Sequence, residues 1–207
     1  GITIMPLTRL PLTTGVSGTL AAGNGGTGVT SADEIGNLVK LEDINVTSSV
    51  SAVEINLDYS GYTAFKLIID KLDKSGTSSS NIIFRVKRDG QSSFDSGSNT
   101  YGAQGITYDN AATRNNNNNA TSIPLLTSTG TGVFTMRIEA LITGAQETDV
   151  QFQMQGVVSL AENGGSTATT GFGGTRYNNQ EKVTALQITD TAQNIGTCRG
   201  ALYGVKS

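Results

Sequence analysis

Carboxylates are the acid–base groups left to this chain near neutral pH, because its 207 residues include 17 Asp and Glu but no histidine. The missing histidine removes the commonest general base and the commonest metal ligand. It excludes Ser-His-Asp and Cys-His catalysis, and His-ligated zinc with them. Glycoside hydrolysis by two facing carboxylates stays chemically open. The acidic residues that stand out nevertheless sit in patterns of ordinary structure. Asp70 and Asp73 flank Lys71 and Lys74, as at a solvated strand end. Asp89 precedes Gly90 in a predicted hairpin turn, and Asp95 lies in the turn-like FDSG. The stretch DKLDKSGTSSSN lacks the spacing that gathers oxygen ligands around calcium. GFGGT and GNGGTG lack the lysine of a phosphate-cradling loop. Cys198, the single cysteine, reads as a small core residue. The sequence predicts no catalytic residue, no metal site and no cofactor.

Recognition by contact is the chemistry that remains. Asn115, Asn116, Asn117, Asn118 and Asn119 form an unbroken run that reads as a loop tip or flap, whose amides could meet sugar hydroxyls. Tyr101, Tyr108 and Tyr177 fall in polar stretches read as loops, as does Phe172. An exposed aromatic ring there could stack on a sugar, or it could cap the end of a core. Gln151, Gln153 and Gln155 alternate with Val150, Phe152 and Met154, so they are expected on a polar sheet surface or a subunit contact.

The elements that must position these groups read as strands. Tyr62–Asp73 puts Phe65, Leu67 and Ile69 on one face, and the following NIIFRVKRDG puts Ile82, Phe84 and Val86 inward. The two are expected to pair as neighbouring antiparallel strands. Alternation returns in GVFTMRIEALIT with Met136, Ile138, Ala140 and Ile142. A short strand is expected near YGAQGITYD, and AENGGSTATTGFGGTRYNN reads as a Gly/Thr-rich loop. In NIGTCRGALYGVK, Ile195, Thr197, Arg199, Ala201 and Tyr203 are expected to share a face. About eight strands joined by turns predict an all-β antiparallel sandwich, jelly-roll-like, over residues 38–207.

Residues 1–37 differ. Pro6 and Pro11 punctuate an apolar stretch that reads as extended chain. Gly15, Gly18, Gly23, Gly25, Gly26 and Gly28 then interrupt Thr, Ser and Ala, so this segment can bury almost nothing alone. SADE at Ser31–Glu34 offers a capping pattern for a short helix or turn. The segment is expected to be an extended anchoring or oligomerisation arm, packed on identical copies or in another protein's socket.

Net charge is −3 and no Lys/Arg block occurs, which disfavours a nucleic-acid partner. No apolar run is long enough to span a bilayer as a helix, and the opening residues do not read as a signal peptide.

The segment Gly18–Ser31, GTLAAGNGGTGVTS, resembles the GTLPVANGGTGLTS type of sequence in bacteriophage tail fibres, departing at Ala21 and Gly23. The body, YTAFKLIIDKL followed by NIIFRVKRDGQSSFDSG, resembles a recurrent module of phage fibre and baseplate-associated proteins. The ending, VTALQITD followed by NIGTCRGALYGVKS, is similar to that module's close. The resemblance implies a virion structural protein with a β-sandwich. It implies a homotrimer that acts in host attachment, with a host surface glycan as partner, or in fibre assembly with other virion proteins. The opening residues, which do not read as a signal peptide, fit synthesis in the cytoplasm of an infected bacterium. No catalytic residue is carried over. Capsid decoration by a head fibre is the alternative expectation. A glycan-degrading tailspike fits less well, because no solenoid repeat or carboxylate pair is evident.

Overall fold

The computed structural model describes residues 38–77, 80–108, 112–129, 134–162, 167–176 and 181–206. The arm glycines and the Ser31 capping pattern lie outside the described residues. Among those described, the fold is all-β: two antiparallel sheets packed face to face. The larger sheet is eight-stranded, in the order β1-β12-β3-β8-β9-β10-β5-β6. Its strands are β1 (Leu38–Val46), β3 (Tyr62–Lys74), β5 (Tyr101–Tyr108), β6 (Ala112–Ala120), β8 (Phe134–Thr143), β9 (Gln153–Glu162), β10 (Thr167–Arg176) and β12 (Ile195–Lys206). The smaller sheet orders β2 (Ala52–Asn56), β11 (Val183–Asp190), β4 (Ser80–Arg88) and β7 (Ile123–Thr129).

Period-two alternation builds the core. Phe65, Leu67 and Ile69 of β3 join Met136, Ile138 and Ile142 of β8 on the inner face of the large sheet. Ile82, Phe84 and Val86 of β4, with Leu186 and Ile188 of β11, line the small sheet opposite them. Each such side chain, fully removed from water, contributes about 1.5–3 kcal/mol. Phe84 and Phe172 meet with ring centroids 5.9 Å apart.

Several expectations are corrected. β3 and β4 are not paired: β3 lies between β12 and β8, and β4 between β11 and β7. Their apolar rows face the same core from opposite sides, which burial rewards as strongly as pairing. Asp89–Gly90 forms a turn with Gly90 at φ 72°, but no hairpin, because the next strand, β5, belongs to the other sheet.

The Asn115–Asn119 run is not a loop tip. It forms most of β6, with Asn115, Asn116 and Asn117 opposite Gly105, Gln104 and Ala103. Backbone pairing with β5 decides the conformation there, and β-propensity yields to it. Thr167–Arg176, expected inside a loop, is β10, held between β9 and β5. Its period-two pattern is carried by Thr170, Phe172 and Arg176, whose polar members mask the signal.

In β12 a register shift between Ile195 and Thr197 breaks the expected face. Ile195, Cys198 and Leu202 are each fully buried, whereas Arg199 is exposed. One extra residue moves every following side chain to the opposite face.

Candidate functional site

The best-organised polar cluster lies where the connection from β4 to β5 crosses between the sheets. Asp95, in that connection, is only 11 % exposed. Its carboxylate accepts from Arg176 Nε of β10 at 2.5 Å and from Arg88 Nε of β4 at 3.2 Å. Arg88 also reaches Glu181. Tyr101 Oη donates to the Asp95 carbonyl at 3.1 Å and accepts the Val86 N–H at 2.9 Å. Burial, opposed by the Val86 hydrogen bond, pushes the Tyr101 hydroxyl up to about 12, so it stays protonated as a donor. The carboxylate is consumed by two guanidinium groups, and the cluster acts as a clamp between sheets. FDSG signalled a turn in the sequence, but nothing there announced the two arginines across the sandwich.

This placement decides the fate of the expected receptor residues. Tyr101 is wholly buried and opens β5, so it offers no ring to a ligand. Tyr108 ends β5 and the asparagine run occupies β6, the outer strand of the sheet, at the level of the backbone. Tyr177 lies outside the described residues. Phe172 packs into the core on β10.

The acidic residues are similarly engaged. Asp70 pairs with Arg199 at 2.6 Å, and this hydrogen bond holds its carboxyl below the usual range. Asp73 accepts from Thr135 at 2.9 Å, Thr197 at 2.8 Å and Lys71 at 2.9 Å. Partial burial opposes ionisation of Asp73, but the hydrogen bonds outweigh it and its pKa is lowered. Burial raises that of Glu42, against a hydrogen bond from the Asn56 N–H. Glu42, Glu54 and Asp58 border one shallow depression of about 360 Å³. Asp58 there is paired with Lys182 at 2.5 Å. Among the described residues no group of three His, Cys, Asp or Glu could hold a metal ion. Cys198 is buried as expected, and burial, with the charge of Asp70, pushes its thiol up to about 12.

An accessible relief lies on the outer face of the eight-stranded sheet. Strand registers place Gln104 (β5), Gly173 (β10), Gln155 (β9), Leu141 (β8) and Lys66 (β3) in one row across five strands. Gln104, Gln153 and Gln155 are exposed, and Leu141 is 40 % exposed. Around Gly173 the row sinks into a groove of about 350 Å³ lined by these groups with Gly102, Thr143 and Thr175. Beyond Leu141 it opens into a broader depression beside Val157 and the Lys66–Glu139 pair, 2.6 Å apart. The glutamine row thus faces solvent, as its alternation predicts. The glycine floor between Gln104 and Gln155 was hidden inside the stretch read as a loop.

No helix among the described residues is long and apolar enough to cross a membrane. Comparison with known proteins found no matching family model, no matching curated protein and no matching solved structure.

Proposed function

We propose that this chain is a structural protein of a bacteriophage virion, of the fibre type, in which residues 1–37 assemble copies of a β-sandwich that serves host attachment. The observation that carries the reading is the order of its segments. A fibre-like GTLAAGNGGTGVTS is followed by the YTAFKLIIDKL, DGQSSFDSG and LYG patches of the phage module. The reading is non-enzymatic, and it draws support from the absence of histidine and from the engagement of Asp70, Asp73 and Asp95 in ion pairs.

Light scattering of the full chain tests it. A homotrimer gives three times the 21.5 kDa of one copy. The double variant Gly25→Val and Gly26→Val, which adds bulk where backbones must approach, is expected to return the mass to one copy. Antibody to the protein is expected to label the fibres of particles that encode it. A monomeric full chain, with no labelled fibre, would overturn the reading.

Capsid decoration is the second reading. One observation favours it: Leu38, Leu141 and Val157, each 40 % or more exposed, all belong to the large sheet's outward-facing rows. A broad face with scattered apolar side chains suits contact with a shell. Labelling spread over the head would select it.

A further inference from the structure

We infer that the groove over Gly173 is the seat of the chain's own Gly15–Ser31 segment. This rests on the assembly role proposed above for residues 1–37 and names the surface that receives them.

Several glycines of this sheet are required by internal packing: a Cβ on Gly156 would lie 2.1 Å from the Glu139 carbonyl oxygen, and one on Gly200 2.2 Å from that of Ile68. Gly173 is different. A Cβ there would meet only the Met154 carbonyl oxygen, at an ordinary 3.8 Å. The fold leaves room for a side chain, and its absence opens the groove.

No lining residue of this groove carries a charge, and the segment Gly15–Ser31 carries none either. Strands β8, β9 and β10 are paired along both edges, so an incoming chain cannot extend the sheet. Its N–H and C=O groups must be met by side chains instead. A carboxamide offers both donors and an acceptor, and Gln104, Gln153 and Gln155 present three of them around the groove. A glycine-rich segment exposes its backbone to such partners more fully than any other composition.

The registers place Leu38 on the outer row that continues through Val205, Ala64, Thr143, Gln153 and Thr175 to Gly102, so the row ends in the groove. From β1 to β10 is five strand spacings, about 24 Å at roughly 4.8 Å each. Gly28 precedes Leu38 by ten residues, which span about 28 Å even with Ser31–Glu34 in one helical turn. The end of the Gly/Thr segment therefore reaches the groove of its own chain, and the same contact made by a neighbouring copy links the two.

Disulfide trapping in the full chain tests the inference. The pair Thr27→Cys and Gly173→Cys is expected to oxidise at least about tenfold faster than Thr27→Cys with Glu54→Cys, which sits on the other sheet. Non-reducing gels separate bonds within a chain from bonds between chains, and either supports the groove as the seat. A second variant, Gly173→Leu, fills the groove with a side chain that the backbone tolerates. It is expected to leave the melting temperature unchanged while accelerating hydrogen exchange in residues 15–31. Equal trapping rates, or unchanged exchange in Gly173→Leu, would overturn the inference. A trimer that persists despite such a result leaves the assembly role standing and removes only this seat.

Discussion

Tyr101 and Val86 join the two sheets: the phenolic oxygen at the start of β5 accepts the backbone N–H of β4 at 2.9 Å. The same hydroxyl donates to the Asp95 carbonyl, so one side chain satisfies two backbone groups around a crossover. Tyr101→Phe keeps the ring but leaves a buried N–H without a partner. Such orphaned groups cost about 1–3 kcal/mol. Urea unfolding of the variant should show a loss in that range, while Tyr101→Ala should lose more, about 3–5 kcal/mol, through the cavity it creates.

Asp95 is the counter-charge of Arg176, whose side chain is 5 % exposed. Removing one partner of a buried pair leaves the other charge uncompensated, at a cost of about 3–5 kcal/mol. Asp95→Ala is expected to destabilise by that order in equilibrium unfolding. Combining it with Arg176→Met should recover part of the loss. A double variant as unstable as the summed single losses would show that the two groups act separately.

Asp73 makes stability depend on acid. Its folded-state pKa is lowered, so the unfolded chain binds the proton first as pH falls. Its contribution is complete above the ordinary carboxylate range and disappears as pH drops through the folded value. Glu42, with a raised pKa, acts in the opposite sense, because its protonation relieves a burial penalty. Melting temperatures measured down to about pH 3 should therefore fall less steeply for Asp73→Asn than for the parent chain. Glu42→Gln should raise the melting temperature near neutral pH and leave it nearly unchanged in acid.

Gly156 faces the Glu139 backbone across β8 and β9 too closely for any side chain. Gly156→Ala must push the strands apart and is expected to cost at least about 1–3 kcal/mol, as overpacking does. Gly173→Ala, one strand away, should be close to neutral by the same thermal melt.

The all-β class and the inner faces of β3, β4 and β8 were legible because Phe65, Leu67, Ile82, Phe84 and Met136 belong to rows that recur at every second position, with Lys66, Arg85 and Arg137 among the residues between. Which sheet each strand joins was not legible. An aliphatic row such as Ile82, Phe84 and Val86 packs equally well beside Phe65 and Leu67 or across from them. β6 and β10 escaped notice because asparagine and glycine signal turns when read locally. Backbone pairing to β5 and β9 ignores that preference. The clamp at Asp95 was invisible for a related reason: Arg88 and Arg176 are brought to it by the crossing of two sheets. The outward glutamines were legible, since alternation alone determines their side.

β12 lies between β1 and β3, although 120 residues separate the end of β3 from the start of β12. Until Ile195–Lys206 has left the ribosome, both neighbours lack their hydrogen-bonding partner, and the large sheet stays divided. Pairings that distant form slowly, because a long loop must close first. A chain halted before β12 would present two open edges to its surroundings, an invitation to aggregate or to be degraded. A copy whose synthesis stops before Ile195 cannot complete its eight-stranded sheet.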